Sequence, residues 1–388
     1  MPSNQHIPTG NAFAWRLATY YAALFAALGV QVPFLPVWFT AKGFDAASIG
    51  VVLAVPMAVR VIAIPVAARL ADLHQALRLV IVVASLAAAL VYGLLALAQA
   101  AGAIVAAYVL ASAFYTPLMP LADAYALQGL VRERAGYGRV RLWGSAAFIF
   151  ATLGGGAFLD LFASRDLIWL VVAATFATAA AAGALSPLPV HSGRAISRNQ
   201  GPPLRDPRLF WIAIAAGLVQ GSHAIYYGFS TIAWQAAGFS GPSIGGLWSI
   251  GVLAEIALFA CSARWTESPL RLLFAGAAGA VVRWTAMALD PPAITLPFLQ
   301  CLHALSFGAT HLGSIGVFAR LAAAQSGASA QGYLAVVVGL IMAACIAVSG
   351  LLYAELRMQA YFVMAAIAGL GGIICYAASG RVRRHRGN

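Results

Sequence analysis

Along the 388-residue chain, apolar runs of roughly 20 residues alternate with short polar breaks about twelve times, and a run of that length crosses a hydrocarbon core about 30 Å thick as one helix. The runs predict helices over about 15–40, 48–70, 77–98 and 104–127, a fifth ending near Asp160 and a sixth ending near Leu185. Six more follow over about 207–234, 243–264, 269–289, 293–320, 331–353 and 359–379. Only one polar interruption is long. The Pro-, Ser-, Gly- and Arg-rich segment SPLPVHSGRAISRNQGPPLRD (186–206) reads as a cytoplasmic linker, so the expected organisation is a six-helix bundle over 1–187, a linker over 188–207 and a second six-helix bundle over 208–388.

Composition agrees with an all-α polytopic membrane protein. Apolar residues make up 62% of the chain, charged residues only 9%, and mean hydropathy is +0.87, whereas a soluble domain carries about 25% charged residues. The net charge of +12 does not gather into a basic face for nucleic acid. About 18 of the 23 Lys and Arg residues fall in the tails, in alternate loops and at the adjoining helix ends, which by the positive-inside rule places both termini in the cytoplasm of a cell whose inner (plasma) membrane holds the chain. The four cysteines lie in apolar runs and read as small buried hydrophobes without a disulfide or metal spacing. The start of the chain lacks the pattern of a cleaved signal peptide, so the first helix is expected to be retained. No nucleophile with a base, metal cluster or phosphate-binding loop is legible, which excludes an enzyme and leaves no expected cofactor.

Against this apolar background the few ionisable residues at bilayer depth stand out, because such groups are costly there unless they face a partner or a wet cavity. The second run carries Arg60 near its middle, the seventh His223, the eighth Glu255, the ninth Arg283 and the tenth His303. Gln220, His223, Tyr227 and Ser230 recur at three- and four-residue intervals on one helix face, as do Gln300, His303, Ser306 and Thr310. His303 and His311 are about 80° apart and more than two turns distant, too far to share a metal ion. The fourth run is interrupted twice by proline, in YTPLMPLAD, which begins at Tyr115 and leads to Asp123. On the same membrane side, Arg139 and Arg141 open the fifth. These three are expected to form a cytoplasmic gate.

The halves repeat. GFDAASIG (43–50) resembles GFSGPSIG (238–245), and ARLAD (68–72) resembles ARWTE (263–267) at the same offset of 195, a register that sets Arg60 opposite Glu255. Repeated bundles with a site where they meet are a common plan for transporters.

Two six-helix repeats with ARLAD after the second helix resemble the major facilitator superfamily, although ARLAD lacks the leading Gly and basic run of that family's loop motif and the fifth helix lacks the antiporter Gly-Pro motif. YGRVRLWGS (137–145), QGSHAIYYGFSTIAWQAAGFS (220–240), LWSIGVLAE (247–255), VRW (282–284) and LQCLHALSFGATH (299–311) resemble the 3-phenylpropionate/proton symporter family more specifically. That resemblance implies proton-coupled uptake of an aromatic carboxylate. The family is also similar to the oligosaccharide/proton symporters of the lactose permease type, and Asp123, Arg141, Glu255, Arg283 and His303 match their acid, Arg and His positions. The seventh helix departs, with His223 in place of an acid.

The expectation is therefore a monomeric symporter importing a small organic acid with a proton by alternating access; a sugar or nucleoside symporter is the alternative. Candidate substrate contacts are Arg60, Tyr115, Trp143, Gln220, His223, Tyr227, Trp248 and Gln300. Glu255, Arg283 and His303 are the candidate proton-coupling group.

Overall fold

The computed structural model describes residues 10–133, 136–188, 207–261, 268–321 and 327–384, which are helical, with no strand among them. The first six spans are built from α1 (Gly10–Ala41), α2 (Ala46–Leu73), α3 (Leu77–Leu97), α4 (Ala101–Tyr115), α5 (Leu118–Glu133), α6 (Tyr137–Leu161) and α7 (Ile168–Gly183). The second set comprises α8 (Pro207–Gly221), α9 (Ala224–Ala236), α10 (Gly241–Cys261), α11 (Pro269–Ala288), α12 (Leu296–Cys301), a π-helical segment (Ala304–Ala309), α13 (Thr310–Leu321), α14 (Gly327–Leu356) and α15 (Ala360–Arg384). Among the described residues, eleven stretches are long and apolar enough to cross a membrane, and the 50-residue stretch Ala330–Ser379 takes in most of both α14 and α15. The chain turns between them at Arg357, whose φ of 51° reverses its direction. Twelve spans result.

Three spans, three apart, are interrupted: α4 gives way to α5 around Thr116 and Pro117, α8 to α9 at Ser222 and His223, and α12 to α13 through the π-helical turn, whereas α1 is continuous through Pro33 and Pro36. At Ser222 and His223 the cause is local. Ser222 Oγ donates to the Val219 carbonyl (2.6 Å), and His223 Nδ1 lies 3.2 Å from that same oxygen and 3.0 Å from the Gln220 carbonyl. These side chains compete for acceptors that a continuing helix would use.

The repeated turn is visible in three dimensions. Gly43 and Gly238 both adopt left-handed φ, 86° and 81°, a conformation that suits glycine. Each is followed two residues later by a cap: Asp45 Oδ1 accepts from the Ser48 backbone N–H at 2.8 Å, and Ser240 Oγ from that of Ser243 at 3.4 Å. Hydrogen bonds from Ser48 hold the Asp45 carboxyl below its usual range. The second member of the other repeated pair, ARWTE, lies outside the described residues, as does most of the linker, 189–206.

Packing divides the chain into two compact units. One comprises Met1–Lys42 and Val59–Ser192, the other Gly43–Ala58 and Gly193–Asn388. The beginning of α2 thus groups with the second unit. Glycines explain it: a Cβ on Gly50 would come within 2.7 Å of the Gly350 backbone nitrogen on α14, so the two backbones meet directly. In the first unit α1 packs on α5, α6 and α7, and α3 on α4 and α7.

In the second unit α11 packs on α13 and α15, and α8 on α14 and α15, over a core including Leu209, Ile212, Leu273, Val317 and Phe318. α11 and α13 are pressed together through glycine. A Cβ on Gly313 would come within 2.6 Å of the Leu273 nitrogen, and one on Gly276 would collide with Thr310. Of the four cysteines, Cys375 is buried but Cys261 and Cys301 are exposed. This corrects the expectation of four buried thiols; a small, weakly polar side chain needs no protein cover where it faces lipid.

Candidate functional site

In the second unit the residues singled out on four spans converge on Arg283. Its guanidinium is fully buried; Nη2 donates to Gln300 Oε1 at 2.6 Å, and Nη1 reaches His303 Nδ1 at 3.0 Å and Ser306 Oγ at 3.3 Å. The group also carries aromatic cover, with Cζ 4.4 Å from the Tyr226 ring centroid and 4.5 Å from that of Trp284.

The partners fix where the protons are. Arginine only donates, so His303 Nδ1 must accept and the imidazole is neutral with its hydrogen on Nε2. That nitrogen faces Glu255 Oε2 at 3.8 Å, a contact too long for a hydrogen bond. His223 has the opposite tautomer: its Nδ1 faces only carbonyls and must donate, leaving Nε2 to accept from Ser306 Oγ at 3.1 Å. One chain of polar contacts therefore runs from Glu255 through His303, Arg283 and Ser306 to His223. A direct Glu255–Arg283 ion pair is not formed among the described residues; His303 stands between them.

Aromatic rings enclose this chain. Tyr226 packs on Trp248 with centroids 4.4 Å apart, Tyr227 stacks on His223 (5.7 Å, 22°) and on Trp248 (6.2 Å, 18°), and Trp284 stacks on Tyr361 (5.4 Å, 16°). Their polar tips are anchored: Trp284 Nε1 donates to Ser222 Oγ at 2.8 Å and Trp248 Nε1 to Thr231 Oγ1 at 3.0 Å. Gln220 donates through Nε2 to the Phe307 carbonyl at 3.3 Å. Tyr226, Trp284, Ser306 and Tyr361 were not among the site residues expected from the sequence. Tyr226 and Trp284 neighbour residues that were, and Ser306 lies on the polar stripe of the tenth span.

The first unit holds a second charged group. Asp123 Oδ1 accepts from Tyr21 Oη at 2.6 Å and Tyr137 Oη at 2.8 Å, and lies 3.9 Å from Arg141 Nε. Arg141 covers the Phe25 ring at 4.1 Å. Of the two candidate arginines only Arg141 makes the ion pair; Arg139 is exposed and has none among the described residues. Trp143 is about 200° round the helix from Arg141, half exposed and packed on Trp15 at 5.6 Å, so it does not join this group. The Tyr115 hydroxyl donates to the Leu24 carbonyl at 2.9 Å, beside Tyr92, whose own hydroxyl donates to Gln31 Oε1. Arg60, half-buried at the middle of α2, has no hydrogen-bond or ion-pair partner among the described residues.

A profile of the MFS_1 like family matches residues 14–364. The chain belongs to this family of the major facilitator superfamily. It is 33% identical over 364 residues to a protein named probable 3-phenylpropionic acid transporter from Escherichia coli (strain K12), covering 91% of this chain and 94% of that protein. It is 26% identical to a maltose permease from Geobacillus stearothermophilus over 94% and 96% of the two chains. The crystal structure of the nucleoside transporter NupG has the same fold, with a TM-score of 0.81 at 17% identity over 95% of this chain and 98% of that one. A bacterial homologue of the lysosomal transporter Spinster superimposes with a TM-score of 0.73 at 13% identity over 96% and 97%. This major facilitator chain is thus a multi-pass membrane transporter, and its interruptions in the fourth, seventh and tenth spans, three apart, fit the nested three-helix repeats of the superfamily.

Proposed function

We propose that the protein is a proton-coupled symporter that imports a small organic acid, with an aromatic carboxylate such as 3-phenylpropionate as the cargo, by alternating access in the inner membrane with both termini cytoplasmic. Arg60 carries the reading. A guanidinium at the middle of a membrane helix, without a counter-ion among the described residues, asks for an anionic guest. The charge balance supports the same class, since Arg60, Arg141 and Arg283 stand against two carboxylates, Asp123 and Glu255. The relative with the printed name 3-phenylpropionic acid transporter favours an aromatic carboxylate as that cargo.

Proton coupling is assigned to Glu255, His303 and Arg283. Nδ1 of His303 cannot hold a proton while Arg283 donates to it. Withdrawal of the guanidinium opens that nitrogen, and a proton there turns the 3.8 Å approach to Glu255 into an ion pair. Asp123 with Arg141 serves as the cytoplasmic gate, and the transporter acts as a monomer.

A sugar or nucleoside cargo is the competing reading, favoured by the maltose permease relative. Proteoliposome uptake under an imposed inward proton gradient separates the two. Accumulation of labelled 3-phenylpropionate but not of maltose or uridine supports the proposal; accumulation of a neutral cargo alone overturns it.

A further inference from the structure

Phe307 sits in the π-helical segment one turn beyond His303, and three imidazoles surround its ring. His303 stacks against it with centroids 5.2 Å apart at 13°, His311 stacks at 6.1 Å and 13°, and His223 meets it edge-on at 6.0 Å and 86°. The three histidines differ in one respect. His223 and His303 are buried, at 0% and 7% exposure, whereas His311 is exposed.

That exposure lies within the membrane span Ala293–Leu321. An imidazole facing hydrocarbon at that depth is costly, so an exposed one there marks a wet cavity. That His311 faces water is thus a premise of the inference, and Phe307 is stacked between that ring and His303 and meets His223 edge-on. On the buried side the charged and titratable neighbours are Arg283 from α11, Glu255 from α10, and Tyr226 and Tyr227 from α9. A phenyl ring has no exchangeable hydrogen and no lone pair to receive one, so a proton cannot pass through it. Gln220 fixes the plate in place by donating to the Phe307 carbonyl at 3.3 Å.

We infer that Phe307 is an insulating plate that keeps protons on the His311 side from reaching His303 and His223 unless the π-helical segment moves, and so prevents proton leak without cargo. This inference rests on the assignment of the proton to the Glu255–His303–Arg283 group. A transporter that couples two fluxes needs such a barrier, because a proton that crosses alone dissipates the gradient without moving cargo.

The test is proton flux without substrate. The protein is reconstituted in phosphatidylcholine–phosphatidylglycerol vesicles holding a pH-sensitive dye, the membrane potential is clamped with potassium and valinomycin, and an external pH jump is applied. Wild type and Phe307→Leu, which retains an apolar plate, should stay near the protein-free background. Phe307→Ala and Phe307→Thr should raise the flux several-fold, and adding His311→Phe to either should return it to background. The inference is overturned if both opening variants remain tight while still exchanging 3-phenylpropionate, or if their leak survives removal of His311. The underlying assignment fails separately: Glu255→Gln and His303→Asn would both retain gradient-driven accumulation. If they lose it and the Phe307 variants stay tight, only the insulating role falls.

Discussion

Arg283 Nη1 and His303 Nδ1 are 3.0 Å apart, and because only the arginine can donate, the histidine holds its single hydrogen on the side facing Glu255. The same guanidinium donates to Gln300 Oε1 and Ser306 Oγ and packs against the Tyr226 and Trp284 rings. Arg283→Gln would strand buried acceptors on three side chains. Each unsatisfied buried polar group costs about 1–3 kcal/mol, so the variant should melt several degrees lower in detergent. An unchanged melting temperature would show that the neighbours find other partners.

In the proposed function Arg60 is the cation that meets the cargo's charge. A hydrogen bond to a charged group contributes roughly 1.5–3 kcal/mol, or about 10- to 100-fold in affinity. Arg60→Gln should weaken binding of 3-phenylpropionate by that factor and leave its primary amide nearly unaffected, while Arg60→Lys keeps part of the affinity. Equal losses for acid and amide in a calorimetric titration would refute the assignment.

Glu255→Gln mimics a protonated carboxyl group. Substrate exchange across proteoliposomes should persist, and accumulation driven by a pH gradient alone should vanish. If the variant still concentrates substrate against its gradient, Glu255 is not the coupling group and His303 takes that role alone.

Asp123 separates the two arginines on α6. Arg141→Gln should alter the accessibility of single cysteines placed on the cytoplasmic side, because it removes the ion pair, whereas Arg139→Gln should leave the labelling pattern as in wild type. Equal effects of the two substitutions would argue that the loop charge acts collectively and no specific gate pair exists.

The spans, the repeat and the sites of buried charge were legible because each follows from composition or spacing alone. The GF turn is the clearest instance, since a glycine and a capping oxygen at equivalent positions dictate the same left-handed bend at Gly43 and Gly238. The break at Ser222 and His223 was not legible: no proline marks it, and its cause is side-chain competition for the carbonyls of Val219 and Gln220. The π-helical turn before α13 likewise leaves no mark in the sequence. Helical spacing placed His303 and Ser306 on one face, but it could not say that Arg283 would bridge them or that Tyr226 and Trp284 would cover the bridge, because those contacts depend on packing between spans. Trp143 illustrates the limit from the other side. Its neighbour Arg141 faces Asp123, and a shift of two positions turns the indole to the opposite face of the helix.

The glycine contacts that press α11 against α13 bear on timing. With Gly313 against the Leu273 nitrogen and Gly276 against Thr310, neither helix has room to slide past the other, so α11 with Arg283 travels with α13, and His303, which lies before the π-helical segment, is tied to them through that segment. Exchange of partners between those side chains must then proceed by local rearrangement, which is faster than collective helix movements lasting microseconds to milliseconds. On the proposed proton coupling, the proton settles before the bundles move, and turnover in heavy water should differ little from turnover in ordinary water.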